Sequence, residues 1–370
     1  MIKALLILNT GSSSLKFQAL RYDDMELLLS GKVADIGGEA RLSAKVVEGS
    51  ANVSQDLGEV DHDGALSAVI ELIDRHDDNW ALAAVVHRVV HGGQHFISPV
   101  KVTPAVLAEL EALSPLAPLH QPHNLAGMAA VARLAPGAAN IACFDTAFHA
   151  GAEPLFTTLA LPAELRAQGL RRFGFHGLSY EWIARRLAAD RPDLAEGRVV
   201  AAHLGNGASV CGIVNGASVD TSMGLTAVDG LPMGTRCGAI DPGAVTYMMR
   251  ALGYDAERVD RVLYEQSGLK GLSGVDNDVE ALMASDAPEA RFALDFFALK
   301  VAQFTALMAV SMGGVDAIVF TGGIGENAAP IRQAVMERLA FLGEIEALVI
   351  PANEERMMAL HAKRLLEAGQ

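Results

Sequence analysis

The chain has 370 residues, 51% of them hydrophobic and 20% charged, with a formal net charge of -15. Such a length suits two domains rather than one core, and such a composition excludes an intrinsically disordered chain. An acidic chain without a Lys/Arg cluster also excludes a nucleic-acid binder, which needs a basic face, although a site inside it can still be locally positive for an anionic substrate. Cys143, Cys211 and Cys237 lie far apart, with no CxxC and no zinc spacing, which fits a reducing compartment. No 18-residue apolar run is free of charge or glycine breaks, and the apolar start, residues 1–8, is too short for a signal peptide. The expectation is a cytoplasmic protein without a membrane span.

Residues 3–8 read as a buried strand, Asn9-Thr10-Gly11-Ser12-Ser13 as a turn, and residues 14–20 as a returning strand. Residues 83–90 form another apolar strand, ended by Gly92-Gly93. Residues 103–114, with Pro104 in the first turn, and residues 123–134 are predicted helices. Residues 140–144 are a strand ending in Asp145, and the stretch around Pro154 and Pro162 suits a domain junction. The second half repeats the logic: strand 198–204, the turn Gly205-Asn206-Gly207, and strand 209–214. Asp241-Pro242 reads as a cap and first helical residue, and Asp286 and Glu289 have capping-box spacing before a long helix reaching Met312. Strand 315–321 ends in Gly322-Gly323-Ile324-Gly325-Glu326-Asn327, and a last helix runs from Asn353 to Gly369. Two hairpins with glycine-rich turns, one opening each half, predict a duplicated α/β domain with a cleft between the copies, where turn N–H groups can meet anions.

Asn9 to Lys16 is not a Walker A loop, because a strand follows where that motif needs a helix. Its serines, glycine and lysine suit phosphate, or make an ordinary hairpin turn. Arg88 closes an apolar strand and must pair or face a cleft, since burying it alone is costly; there it can hold a carboxylate with two parallel hydrogen bonds, or simply form a structural ion pair. Asp145 at a strand end is placed for catalysis or for capping. His176 is framed by aromatics and glycines in Arg171-Arg172-Phe173-Gly174-Phe175-His176-Gly177, and Arg236 sits in the glycine loop Gly234-Thr235-Arg236-Cys237-Gly238. His203-Leu204-Gly205-Asn206-Gly207 and Gly323-Ile324-Gly325-Glu326-Asn327 follow strands and suit nucleotide contacts, though neither is GxGxxG. Arginines, a lysine, phosphate-ready turns and carboxylates together favour phosphoryl transfer.

These segments, with Pro115 to His120, resemble the acetate kinase family, which also holds propionate and butyrate kinases, within the acetate and sugar kinase, Hsc70 and actin superfamily. The resemblance covers nearly the whole chain. It implies two ribonuclease-H-like (actin-like ATPase) domains with an interdomain active-site cleft, residues 1–150 plus 355–370 forming the first and 151–354 the second. It implies Asp145, His176, Arg236 and Arg88 as catalytic residues, His176 as the transition-state histidine, and Arg88, Val90, His120 and Pro232 at the substrate. ATP would meet Ser12, Ser14, Lys16, His203, Leu204, Gly205, Asn206, Gly207, Asp278, Val279, Glu280, Gly323, Ile324, Gly325, Glu326 and Asn327. Magnesium, or manganese, would lie at Asn9 and Glu354. The implied partners are acetate, acetyl phosphate, ATP and ADP, with a homodimer the usual assembly and no nucleic acid or membrane.

Three departures stand out. Glu280 occupies the place of an arginine near the adenosine, and an acid cannot stack on a base as arginine does. Ala239 replaces a frequent acidic residue. Between Gly343 and Ala347 a strand or hairpin is expected to be missing. In the resemblance Val90 lines the pocket for the substrate methyl group, which points to acetate over propionate.

Overall fold

The computed structural model describes every residue except Met1, 48–51, 77–79, Leu119 and Gln370. The chain divides into two compact units, Met1–Ala147 with Asn353–Gln370, and Phe148–Ala352. The first holds β1 Ile2–Thr10, β2 Leu15–Arg21, β3 Leu27–Ala34, β4 Glu39–Val46, β5 Asn52–Glu59, β6 Trp80–Val89, β7 Val100–Lys101 and β8 Ala139–Phe144. These make one sheet in the order β5-β4-β3-β2-β1-β6-β8-β7. β1 sits in the middle, which is why its sequence is apolar on both faces. Ala4, Leu6 and Leu8 join Leu66 and Val69 of helix His62–His76 and Ala130 and Val131 of helix Gln121–Leu134 in one core. By strand alternation Leu5 and Ile7 point to the other face. Helix Glu354–Ala368 packs on β1, β2 and β6 and buries Met357 and Met358.

The second unit holds β9 Arg198–Leu204, β10 Ala208–Val214, β11 Ala217–Thr221, β12 Ala317–Thr321 and β13 Glu346–Val349, in the order β11-β10-β9-β12-β13. β9 pairs antiparallel with β10 and parallel with β12; β10 pairs antiparallel with β11, and β12 parallel with β13. The set β3-β2-β1-β6-β8 has the same order and the same directions. The fold is therefore duplicated, as the two hairpins predict.

Four details differ from expectation. An edge strand not drawn from the sequence, β13, adds to the sheet at residues 346–349. Asp286 caps nothing: the helix is Pro288–Met312 and its N-cap is Ala287, at φ -64 and ψ 131. Proline at the first helical position forces its predecessor to be extended, so the boundary moves one residue past the apparent capping box. The glycine-rich stretch after β12 is a short helix, Gly322–Asn327, rather than a turn. Finally, helix Pro288–Met312 is long and apolar enough to cross a membrane. Asp295 and Lys300 interrupt it, and within its unit it lies along β10 and β9 with Ala293, Phe297, Val301 and Met308 buried.

Candidate active site

In the first unit the ends of parallel strands β6 and β8 bring Arg88 and Asp145 together. Arg88 Nε donates to both Asp145 oxygens at 3.1 and 3.0 Å, and Nη2 lies 2.9 Å from Oδ2. Asp145 is buried and Arg88 nearly so. Burial alone would lower the arginine, but Asp145, Glu354 and Glu355 outweigh it and hold its pKa above the ordinary value. One edge of the guanidinium is thus fixed, and its planar fork can offer the other edge to a second oxyanion. Burial, then Glu354, pushes the Glu355 carboxyl above its usual range, against the pull of Arg88 and Lys16. Glu354 and Glu355 open the C-terminal helix, whose N-cap is Asn353, with its side chain accepting from the Arg356 amide.

The first turn lies beside this cluster. Asn9, Lys16 and Glu355 line one groove of about 600 Å³ over β1 to β5. Gly11 donates to the Ser14 carbonyl at 2.8 Å and closes the turn, while Ser12 is exposed. Asn124 accepts from the Val90 amide at 3.3 Å and donates to the Thr10 carbonyl at 3.2 Å. It ties the end of β6 to the end of β1, a role the sequence reading missed. His120 precedes the same helix, and Val90 is half-buried. His87 and His91 pack in the interior: burial pushes them down to about 3 and about 4, so both are neutral.

In the second unit the other residues gather around the β9–β10 turn. His176 Nδ1 lies 2.8 Å from Ser209 Oγ, and its ring stacks on His203 at 4.3 Å. His203 Nδ1 lies 2.9 Å from Ser179 Oγ. Gly205 N–H donates to the Gly207 carbonyl at 3.1 Å. A Cβ on Gly207 would sit 3.2 Å from His176 Nε2 and 4.0 Å from Arg236 Nη1, so glycine lets both approach the turn. Arg236 donates to the Ala227 carbonyl at 3.1 Å, and burial pulls it below its ordinary value. Pro232 is buried in the same loop, and Ala239 is exposed.

A cavity of about 660 Å³ is lined by Gly205, Asn206, Asp278, Val279, Glu280, Gly323, Ile324 and Asn327, among others. Three sequence segments predicted to meet a nucleotide thus converge. Leu204 is fully buried, so only its backbone can contribute, and Gly325 is buried too. Asp278 caps the helix Val279–Met283, its side chain accepting from Ala281 N–H at 3.0 Å. Glu326 Oε1 accepts from Gly322 and Ala352 N–H groups at 3.0 and 2.9 Å and braces the loop. Glu280 does line the cavity, and among the described residues no arginine lines it with it. Among the described residues no three His, Cys, Asp or Glu side chains converge as a metal cage.

The sequence profile of the Acetokinase family matches residues 4–360. The chain is 43% identical over 403 aligned residues to the acetate kinase of Rhodopseudomonas palustris strain TIE-1, covering all of both chains. The crystal structure of Porphyromonas gingivalis acetate kinase superposes with a TM-score of 0.89 at 33% identity, over 98% of this chain and 100% of that one. A propionate kinase from Francisella tularensis gives 0.92 at 34%, over 97% and 99%. The duplicated actin-like ATPase fold and its cationic, glycine-rich loops define a phosphotransferase. More particularly, the chain belongs to the acetokinase family, enzymes that transfer a phosphoryl group from ATP to a carboxyl group.

Proposed function

We propose that this enzyme transfers the γ-phosphoryl group of ATP reversibly to acetate, giving acetyl phosphate and ADP. The observation that carries the reading is Arg88, one guanidinium edge fixed by Asp145 and the whole held at a strand end. Such a fork binds a carboxylate, and Val90 two residues on supplies an apolar neighbour for a short acyl chain. Arg236 and His176 receive the phosphoryl oxygens, whose charge spreads as the bond to ADP loosens. Transfer is direct and in line, without a covalent enzyme intermediate. The 660 Å³ cavity receives the nucleotide.

Magnesium fits the first unit's donors. Asp145, Glu354 and Glu355 all act on Arg88, and the Glu355 carboxyl is raised by burial first and by its neighbour Glu354 second. Asn9 and Glu354 would hold the ion with Glu355 beside it. Magnesium commonly takes one or two carboxylates and completes its shell with water and phosphate oxygens, so a full protein cage is not needed. It would neutralise charge on the nucleotide phosphates.

The enzyme works as a cytoplasmic homodimer in this reading. Cys143, Cys211 and Cys237 lie far apart in sequence with no CxxC, which suits a reducing compartment. Helix Pro288–Met312 exposes Phe292, Leu299, Leu307 and Val310, an apolar stripe that a second copy would cover.

The test is trapping of acyl phosphate with hydroxylamine, with kcat/KM measured for acetate, propionate and butyrate at saturating ATP and magnesium. Acetate should be preferred, propionate poorer by about 10-fold, as one methylene in an apolar pocket allows. No acyl phosphate from folded protein would overturn the reaction. A preference for propionate would overturn only the choice of acid.

A further inference from the structure

His176 has an unusual backbone for a bulky residue, φ 56 and ψ 21, in the left-handed region. Such a conformation costs energy and persists where its surroundings impose it. Here they do. Gly174, at φ 77, leaves no room for a Cβ, which would lie 2.5 Å from Thr221 and 2.7 Å from His149. His149 Nε2 is 2.9 Å from the Phe175 carbonyl, and its Nδ1 is 2.7 Å from Ser218 Oγ. The backbone is clamped on both sides of the ring it presents.

The ring is held by a chain of hydroxyls. Ser209 Oγ bridges His176 Nδ1, at 2.8 Å, and Tyr180 Oη, with which it makes a short hydrogen bond. Ser209 and Tyr180 are both fully buried. Nothing in the phosphoryl-transfer reading uses Tyr180. We infer that Tyr180, acting through Ser209, fixes which nitrogen of His176 carries the proton.

The direction of the chain decides it. The Tyr180 oxygen also faces the His203 backbone, an amide stabilising negative charge there, and burial keeps the phenol protonated. The phenol O–H therefore donates to Ser209 Oγ. The serine O–H is then turned toward His176 and donates to Nδ1. A neutral imidazole that accepts at Nδ1 carries its proton on Nε2. That nitrogen is the one beside Gly207 and Arg236. The tautomer so selected is a hydrogen-bond donor, the form that stabilises charge developing on a phosphoryl oxygen. Without the phenol O–H, the serine can rotate and accept from Nδ1–H, and Nε2 then presents a lone pair that repels the same oxygen. Tyr180 is thus a positioning residue, and its role rests on the reading that His176 meets the transferred group.

Tyr180→Phe keeps the ring and removes only the hydroxyl. Ring ¹⁵N shifts of His176, read by long-range ¹H–¹⁵N NMR, report the tautomer directly. The wild type should show the Nε2–H form, and Tyr180→Phe and Ser209→Ala a mixture. kcat should fall about 2- to 10-fold in Tyr180→Phe with both KM values unmoved, the scale of one neutral hydrogen bond. An unchanged tautomer in both variants would overturn the inference, whatever happens to kcat. His176→Ala separates the two levels. If it turns over normally, the role of His176 itself is wrong; if it loses turnover while Tyr180→Phe keeps the wild-type tautomer, only the relay is wrong.

Discussion

Arg88 and Asp145 form a buried pair in which one partner is also the proposed substrate ligand. Removing the arginine leaves a buried carboxylate without its charge partner, so Arg88→Ala should cost activity and some stability together. kcat/KM for acetate is expected to fall on the order of 10²–10³, the usual loss for one charged donor at a reacting group. Asp145→Asn keeps the shape but not the charge, and should lose orientation with a smaller stability cost. Acyl phosphate formation and thermal melting, measured side by side, separate the two effects. Gly207→Ala acts through space alone: its Cβ would press to 3.2 Å on His176 Nε2. kcat should drop while the melting temperature barely moves. Glu280→Arg places a cation at the wall of the 660 Å³ cavity and should lower KM for ATP. An unchanged KM would mean that side chain 280 does not reach the nucleotide. Arg88 and Asp145 were readable in the sequence because a charge closing an apolar strand needs a partner. Asn124, Ser209 and Tyr180 were not, since common polar residues in helices and strands carry no local signal until the fold pairs them.

The elements that carry the site are short and depend on their ends. Helix Glu354–Ala368 begins on a side-chain cap, Asn353 accepting from the Arg356 amide at 2.9 Å, and its first residue, Glu354, is the proposed metal carboxylate. Asn353→Ala should cost about 1 kcal/mol in a urea titration. It should also weaken magnesium dependence, because the fraying turn is the one that presents Glu354. Central strands β1, β6, β9 and β12 were legible as apolar runs, their burial on both faces leaving an unmistakable pattern. β5 was not: Asn52–Glu59 is largely exposed and includes Asp56 and Gly58, and pairing with β4 makes it a strand. β13 was missed for the same reason, an edge strand with mostly exposed residues lent its shape by β12. The capping box at Asp286 misled because a proline two residues later outranks it.

At the scale of the molecule, buried histidines link stability to pH. Burial holds His87 near 3 and His91 and His149 near 4, against an ordinary 6.5. The unfolded chain takes up these protons below about pH 6.5 while the folded chain refuses them. Stability is therefore full above that pH and is lost as pH falls toward 4, each histidine contributing a slope of about 1.4 kcal/mol per pH unit. Denaturation midpoints measured from pH 7 to 4 should show this fall. His87→Leu should flatten it.

The second unit, residues 148–352, is inserted between β8 and the last helix of the first. A ribosome making this chain finishes the guest before the host. At roughly 5–20 residues per second, the 205 residues from 148 to 352 take on the order of 10–40 s to make. Throughout that interval the nascent sheet of the first unit lacks the helix bearing Met357 and Met358, and its apolar face stands bare. The guest can fold while it waits; the host cannot be completed until its own last turn of helix emerges. Nascent chains paused within the second unit should therefore engage a holding chaperone through the first unit's sheet, and release it once residue 368 has cleared the exit tunnel.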